Sequence, residues 1–260
     1  MTTRHVFAIL LCVLSFNALA QTAEERGLEI AREIDRRNEG FVNSLHEADM
    51  TLKNRQGEES KRHFILKTLE VSNDGDKDVG LFDNPPDVRG TAVLTYSHGV
   101  QPDDQWIFLP SLKRVKRISS VNKTGPFVGS EFAFEDIASW ELSKYTYKYL
   151  RDEAVDGHDC AVLELHPAYE YSGYTRQVWW VDKAIYQARK IEFYDRKDAL
   201  LKTLALNDYR QYQDKFWRSH DLLMENLQTG KTTRLVRSAY QFGAALSAQD
   251  FTEGALKNIR

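Results

Sequence analysis

The sequence predicts a mainly β fold, a meandering antiparallel sheet accompanied by a few helices. Three observations carry this. From Phe41 onward the chain divides into strand-length segments rich in β-branched and aromatic residues. Short turn signals at Gln56-Gly57, Asn73-Asp74-Gly75, Asp156-Gly157 and Thr229-Gly230 punctuate them as hairpins, a spacing that leaves no room for the helical crossovers of βαβ units. Aromatic residues make up 12% of the chain, with twelve tyrosines and thirteen phenylalanines. That richness suits a β-rich domain and also the lining of an apolar pocket.

Residues 1–20 read as a secretory signal. Arg4 and His5 precede an apolar stretch from Val6 to Phe16, and Ala18-Leu19-Ala20 supplies a small-x-small cleavage pattern. The stretch falls well short of the ~20 apolar residues that span a bilayer, and no later segment comes close. Gln21, not cysteine, follows the expected cut, so no lipid anchor is expected. Nothing divides residues 21–260, which are read as a single domain. Of the two cysteines only Cys160 lies in it, so no internal disulfide is expected and the core must be large enough to do without one. In the apolar run Cys160-Ala161-Val162-Leu163, that thiol reads as a small buried hydrophobe.

Thr22-Ala23-Glu24-Glu25 is a capping-box pattern that opens a helix running to about Arg37. Leu28, Ala31 and Ile34 recur on one side of it, with charged residues on the other. Strands follow over Phe41–Lys53, Arg62–Val71 and Thr91–Tyr96, and then the apolar run Trp106-Ile107-Phe108-Leu109. A run without alternation suits a strand covered on both faces. After an irregular stretch, strands are expected over Tyr145–Tyr149, Cys160–Leu165, Thr175–Val181, Ile185–Tyr194, Leu200–Tyr212, Phe216–Leu227 and Thr232–Tyr240. Alternation sends Trp179 and Trp180 to opposite faces, without showing which faces inward. Ser247–Arg260 reads either as a short helix or as a frayed tail.

The central region carries the most distinctive order of residues: Trp106-x-x-Leu109-Pro110-x-Leu112-Lys113-Arg114-x-x-Arg117-Ile118, followed by Gly129-Ser130-x-Phe132-x-x-Glu135-Asp136. This order resembles the LolA-like family of bacterial outer-membrane lipoprotein-sorting proteins, and most of all its transporter-associated branch. Glu131 stands where that family often has aspartate. The resemblance implies a strongly curved, unclosed antiparallel sheet, a half-barrel wrapped around helices, that encloses an apolar cavity for an acyl chain. It implies a periplasmic setting, a lipid or lipoprotein acyl chain as partner, and an inner-membrane export transporter as a second one.

The chemistry in the residues agrees with binding. The formal charge of −3, with mixed signs throughout, argues against a nucleic-acid partner. There is no Gly-x-Ser-x-Gly elbow, His-Glu-x-x-His pair or phosphate loop, and the histidines lack metal-ligand spacing. Catalysis, cofactor and metal are therefore not expected. Phe64, Leu66, Trp106, Phe108, Phe127, Phe132, Phe134 and Trp140 are the expected lipid-binding residues; the bland alternative is that they are filled core. Lys113, Arg114, Lys116 and Arg117 also carry two readings. One is a solvated strand edge whose cations deter sheet pairing; the other is a dock for anionic headgroups or an acidic transporter surface. The leading expectation is a carrier that takes an acyl chain towards the outer membrane, and the alternative is a non-carrying docking subunit of an envelope transporter.

Overall fold

The computed structural model describes residues 21–72 and 74–257, so the expected signal segment lies outside it. Helix α1 spans Ala23–Asn38 and starts as its sequence dictates. The Thr22 hydroxyl accepts the Glu25 N–H at 3.1 Å, and the Glu25 carboxylate accepts the Thr22 N–H at 2.9 Å. Thirteen strands follow: β1 Asn43–Lys53, β2 Glu59–Leu69, β3 Lys77–Asn84, β4 Ala92–Tyr96, β5 Asp104–Leu109, β6 Arg114–Ile118, β7 Tyr145–Val155, β8 His158–Pro167, β9 Tyr174–Asp182, β10 Ala188–Asp195, β11 Leu200–Tyr212, β12 Phe216–Asn226 and β13 Lys231–Phe242.

They form one antiparallel sheet in the order β6-β5-β4-β3-β2-β1-β13-β12-β11-β10-β9-β8-β7. Every pair of neighbouring strands is consecutive in sequence except one, the join where β1 pairs with β13. Strands β6 and β7 are the two edges, so the sheet is an unclosed half-barrel, as the resemblance implies. Strand β3 is not among the strands expected from the sequence, and Ile185, the expected start of β10, lies in the turn before it.

Strand alternation divides the apolar residues between the two faces. The inner face carries the main core, with Met50, Phe64, Phe82, Leu204, Leu222 and Leu235, and the irregular segment between β6 and β7 folds onto it through Phe127 and Phe132. Helix α1 covers the β7–β9 end of the same face, where Ala31 and Ile34 meet Tyr147, Leu163 and Val181. On the outer face, Val79, Leu81, Ala92 and Leu94 are covered by the C-terminal segment through Phe251 and Leu256. That segment is neither a regular helix nor a frayed end over its described part: it makes two short 3-10 turns, Ala248–Phe251 and Ala255–Lys257. Burial pushes the thiol of Cys160 up to about 11, which fits a buried small hydrophobe better than a reactive thiolate.

Helix α1 sits close because Gly27 has no side chain. A Cβ there would lie 2.8 Å from the Tyr149 nitrogen and 2.9 Å from the Lys148 backbone. Gly27→Leu is expected to push the helix off β7 and cost about 1–3 kcal/mol, seen as a lowered thermal midpoint.

Candidate functional site

Between the inner face of the sheet, α1 and the irregular segment lies a cavity of about 1490 Å³. Ordinary small-molecule sites occupy roughly 300–1,000 Å³, so this hollow exceeds them. Its walls change character along the strands. Reading inward positions in one direction gives Met50, Ala48, His46 and Ser44 on β1, then Phe64, Leu66 and Thr68 on β2, and Phe82, Gly80 and Asp78 on β3. Register aligns the gradients: Ala48 lies opposite Phe64 and Phe64 opposite Phe82, whereas Ser44 lies opposite Thr68 and Thr68 opposite Asp78. One end of the cavity is therefore apolar and the other polar, the outline of an amphiphile.

At the apolar end Phe64, Phe82 and Phe127 stand 4.9–6.4 Å apart by ring centroid, and Phe134 packs edge-on to Phe127 at 5.6 Å. The segment that bears Phe127 and Phe132 is held by buried carboxylates. Asp136 accepts hydrogen bonds from the Ala133 N–H at 2.6 Å and the Tyr174 hydroxyl at 2.7 Å, and it pairs with the Lys202 ammonium at 2.5 Å. Glu135 accepts from the Tyr169 hydroxyl at 2.5 Å, the Gly173 N–H at 2.9 Å and the Ser172 hydroxyl. The side chain of Glu131 takes the amide of Asn226 at 2.7 Å. Gly129 and Val128 both adopt positive φ, 79° and 46°, which turns the chain back over the cavity. The acidic residues of the family-like motif thus fasten an aromatic flap across the hollow. Tyr169 and Tyr174, from an aromatic stretch just before and at the start of β9, put their hydroxyls on these carboxylates.

The polar end gathers Asp35, Asp76, Asp78, Glu141, Arg218 and Arg237. Burial and the nearby charge of Asp76 push the carboxyl of Glu141 up to about 8. Burial and Asp78 push Asp76 up to about 7. Burial raises Asp78 to about 6, restrained by its hydrogen bonds from Thr68 and Ser139. A carboxyl with a raised folded-state pKa favours the fold while protonated, so its contribution is lost as pH rises through that value. The thermal midpoint is therefore expected to fall from about pH 4.5, where the carboxyl ionises in the unfolded chain, to about pH 8, and to level off above that; Glu141→Gln should remove the upper part of the fall. An unchanged slope in that variant would count against the assignment.

Of the residues expected to bind lipid, Phe64, Leu66, Phe127, Phe132 and Trp140 line the cavity, and Phe134 packs behind Phe127. Trp106 and Phe108 do not. They point to the outer face of β5 and pack beside Val115 under the C-terminal segment, while their neighbours Gln105 and Ile107 face inward. Trp179 is the inward member of its pair, 5.9 Å from the ring of Trp140. Trp180 lies on the outer face with Cys160 and Val162. Lys113, Arg114, Lys116 and Arg117 are exposed on and beside edge strand β6, and Arg117 pairs with Asp104. Alternation splits them: Arg114 and Lys116 lie opposite inward-facing Leu109 and Ile107, and Arg117 opposite Trp106. Asp76, Asp78, Glu141, Arg218, Arg237 and His46 also line the cavity and were not expected from the sequence. The carboxylates spaced two apart at 76 and 78 were a readable sign of a polar strand face, but only once β3 is recognised.

Among the described residues no helix is long and apolar enough to cross a membrane. A profile of a family described as uncharacterized protein matches residues 74–258. The chain is 53% identical to a domain from Vibrio parahaemolyticus named for outer membrane lipoprotein sorting, with a TM-score of 0.88 over 90% of this chain and 99% of that one. It is 30% identical to a DUF1329 family protein from Desulfovibrio piger, with a TM-score of 0.86 over 90% and 99%. A LolA superfamily protein from Nitrosomonas europaea shares 22% identity and the fold, with a TM-score of 0.71 over 88% and 98%. No curated protein matches the chain.

Proposed function

The chain belongs to the DUF1329 family and carries the LolA fold, and from that premise we propose that it is a periplasmic carrier that holds the acyl chain of a lipid or lipoprotein for transfer towards the outer membrane. The observation that carries this reading is the 1490 Å³ cavity with an apolar end under an aromatic flap. An acyl chain resists leaving a membrane by about 0.8 kcal/mol per methylene, so a sixteen-carbon chain needs roughly 10 kcal/mol of replacement burial to cross water. Phe64, Leu66, Phe127, Phe132 and Trp140 supply apolar contact, and no step of catalysis is required. Release needs the flap to lift, and its attachment through side chains of Glu131, Glu135 and Asp136 is a discrete set of contacts rather than a continuous sheet ladder.

The relative named for lipoprotein sorting supports the same direction of traffic. Titration with a fluorescent long-chain acyl probe should saturate near one probe per chain; absence of binding across several chain lengths would overturn the carrier reading. The exposed cations of β6 favour a second element of this reading, a dock for anionic membrane or an acidic transporter surface. Replacing Lys113, Arg114, Lys116 and Arg117 together by glutamine should leave acyl-probe affinity within about twofold, because exposed charges contribute little to the fold. The same variant should lose retention on anionic vesicles at low salt. Retention equal to that of the wild type would reduce these cations to a guard against edge pairing.

A further inference from the structure

We propose that the polar end of the cavity is a headgroup site in which Arg218 and Arg237 bind the phosphate of an acylated phospholipid. The proposal rests on the acyl-carrier reading and narrows its cargo.

Both arginines line the cavity, from adjacent strands β12 and β13. Among the described residues neither has a carboxylate within 4.0 Å, although elsewhere the chain pairs its sheltered cations, Arg189 with Asp182 and Lys202 with Asp136. Arg218 is fixed without being neutralised. Its Nη1 donates to the Asn38 side-chain oxygen and the Trp217 carbonyl, each at 2.9 Å, and the guanidinium lies 5.5–5.7 Å from the rings of Phe41, Phe216 and Phe242. Arg237 makes one long bond, 3.4 Å from Nη1 to the Tyr240 hydroxyl, and its Nε has no partner.

Beside Arg237, on the neighbouring strand β1, lies His46, 3% exposed, stacked on Tyr240 at 4.3 Å, its Nδ1 also without a partner. Burial pushes this imidazole well down, and the charges of Arg237, His220 and Arg218 push it further. Among the carboxyls of the polar end, Glu141, at about 8, stays protonated at neutral pH, Asp76, at about 7, is half so, and Asp78, at about 6, is mostly ionised and within the field of Arg237, so the two arginines are only partly balanced.

Two preset guanidinium forks with free donors suit a phosphate, which accepts bidentate bonds from each. The apolar end is continuous with the site through Leu235 and Arg237, which are successive inward positions on β13. The headgroup would thus rest on the arginines while the chains extend to Phe64 and Phe127. A neutral glycerolipid would fill the apolar end and leave the guanidinium groups unmatched.

The test uses the full mature chain and displacement of a bound fluorescent acyl probe by three competitors: dioleoyl phosphatidylglycerol, dioleoylglycerol and inorganic phosphate. The expected result is at least about a tenfold preference for the phospholipid over the diacylglycerol. That preference should collapse in Arg218→Gln/Arg237→Gln, which still binds the acyl probe, and return in part with lysine at both positions. Arg237→Gln alone keeps the test sharp if Arg218→Gln fails to fold, since Arg237 lacks the aromatic box. Equal displacement by both lipids in the wild type would overturn the headgroup site and leave acyl carriage intact. Failure to bind the acyl probe, with binding of inorganic phosphate still seen by calorimetry, would overturn carriage and with it the lipid source of the phosphate.

Discussion

Gly80→Phe is expected to abolish most acyl binding while leaving the fold in place. Gly80 faces the cavity from β3, in register between Leu66 and Val93. A Cβ built there meets only the Leu66 Cδ1 at 3.7 Å, an ordinary contact, so a larger side chain can start without strain and grow into the hollow. Displacing two methylenes of a bound chain costs about 1.6 kcal/mol, more than a tenfold loss of affinity. Glycine weakens a strand interior, so the thermal midpoint should hold or rise. A folded variant with unchanged probe affinity would place the chain somewhere other than this cavity.

The largest stability effect is expected at Lys202. Its ammonium and the Asp136 carboxylate are 4% and 5% exposed, and Lys202 also donates to the Glu131 carbonyl at 3.0 Å. Lys202→Met removes the cation and leaves a buried carboxylate with only the Ala133 N–H and the Tyr174 hydroxyl. Breaking a buried pair from one side costs about 3–5 kcal/mol, whereas replacing both partners with apolar groups costs far less. Denaturant unfolding should show that loss for Lys202→Met, and Lys202→Met/Asp136→Leu should recover part of it. The flap carrying Phe127 and Phe132 hangs on this pair, so the single variant should also bind acyl probes less tightly. A loss under 1 kcal/mol would mean that water reaches the carboxylate and relieves it.

Much of the architecture was legible because it rests on local rules. The capping box at Thr22 and the strand-and-turn rhythm after Phe41 fix α1 and most strands without tertiary information. The irregular stretch before β7 was also readable, with Phe127 and Phe132 in it among the expected lipid-binding residues, though not that it folds back as a flap over the hollow. Strand β3 escaped because Lys77-Asp78-Val79-Gly80-Leu81-Phe82-Asp83-Asn84 mixes weak strand formers with apolar residues. The physical reason is functional: its inner face lines a partly polar hollow, so Asp78 and Gly80 stand where a filled sheet would carry aliphatics.

Trp106 and Phe108 show the opposite limit. The run Trp106–Leu109 was rightly expected to be covered on both faces, with Ile107 in the main core and Trp106 and Phe108 beside Phe251 and Leu256. Which face met the cavity depended on a C-terminal segment far away in sequence, and no local pattern encodes that. Arg218 and Arg237 look like any solvated strand cations; their inward direction follows from alternation with Leu222 on β12 and Leu235 on β13, whose own facing only the folded sheet reveals.

Native mass spectrometry of the protein extracted gently from its own envelope tests the central claim most directly. The claim predicts a population carrying one extra mass in the range of an acylated lipid, lost from Gly80→Phe. Protein of bare chain mass throughout, from wild type and variant alike, would contradict it.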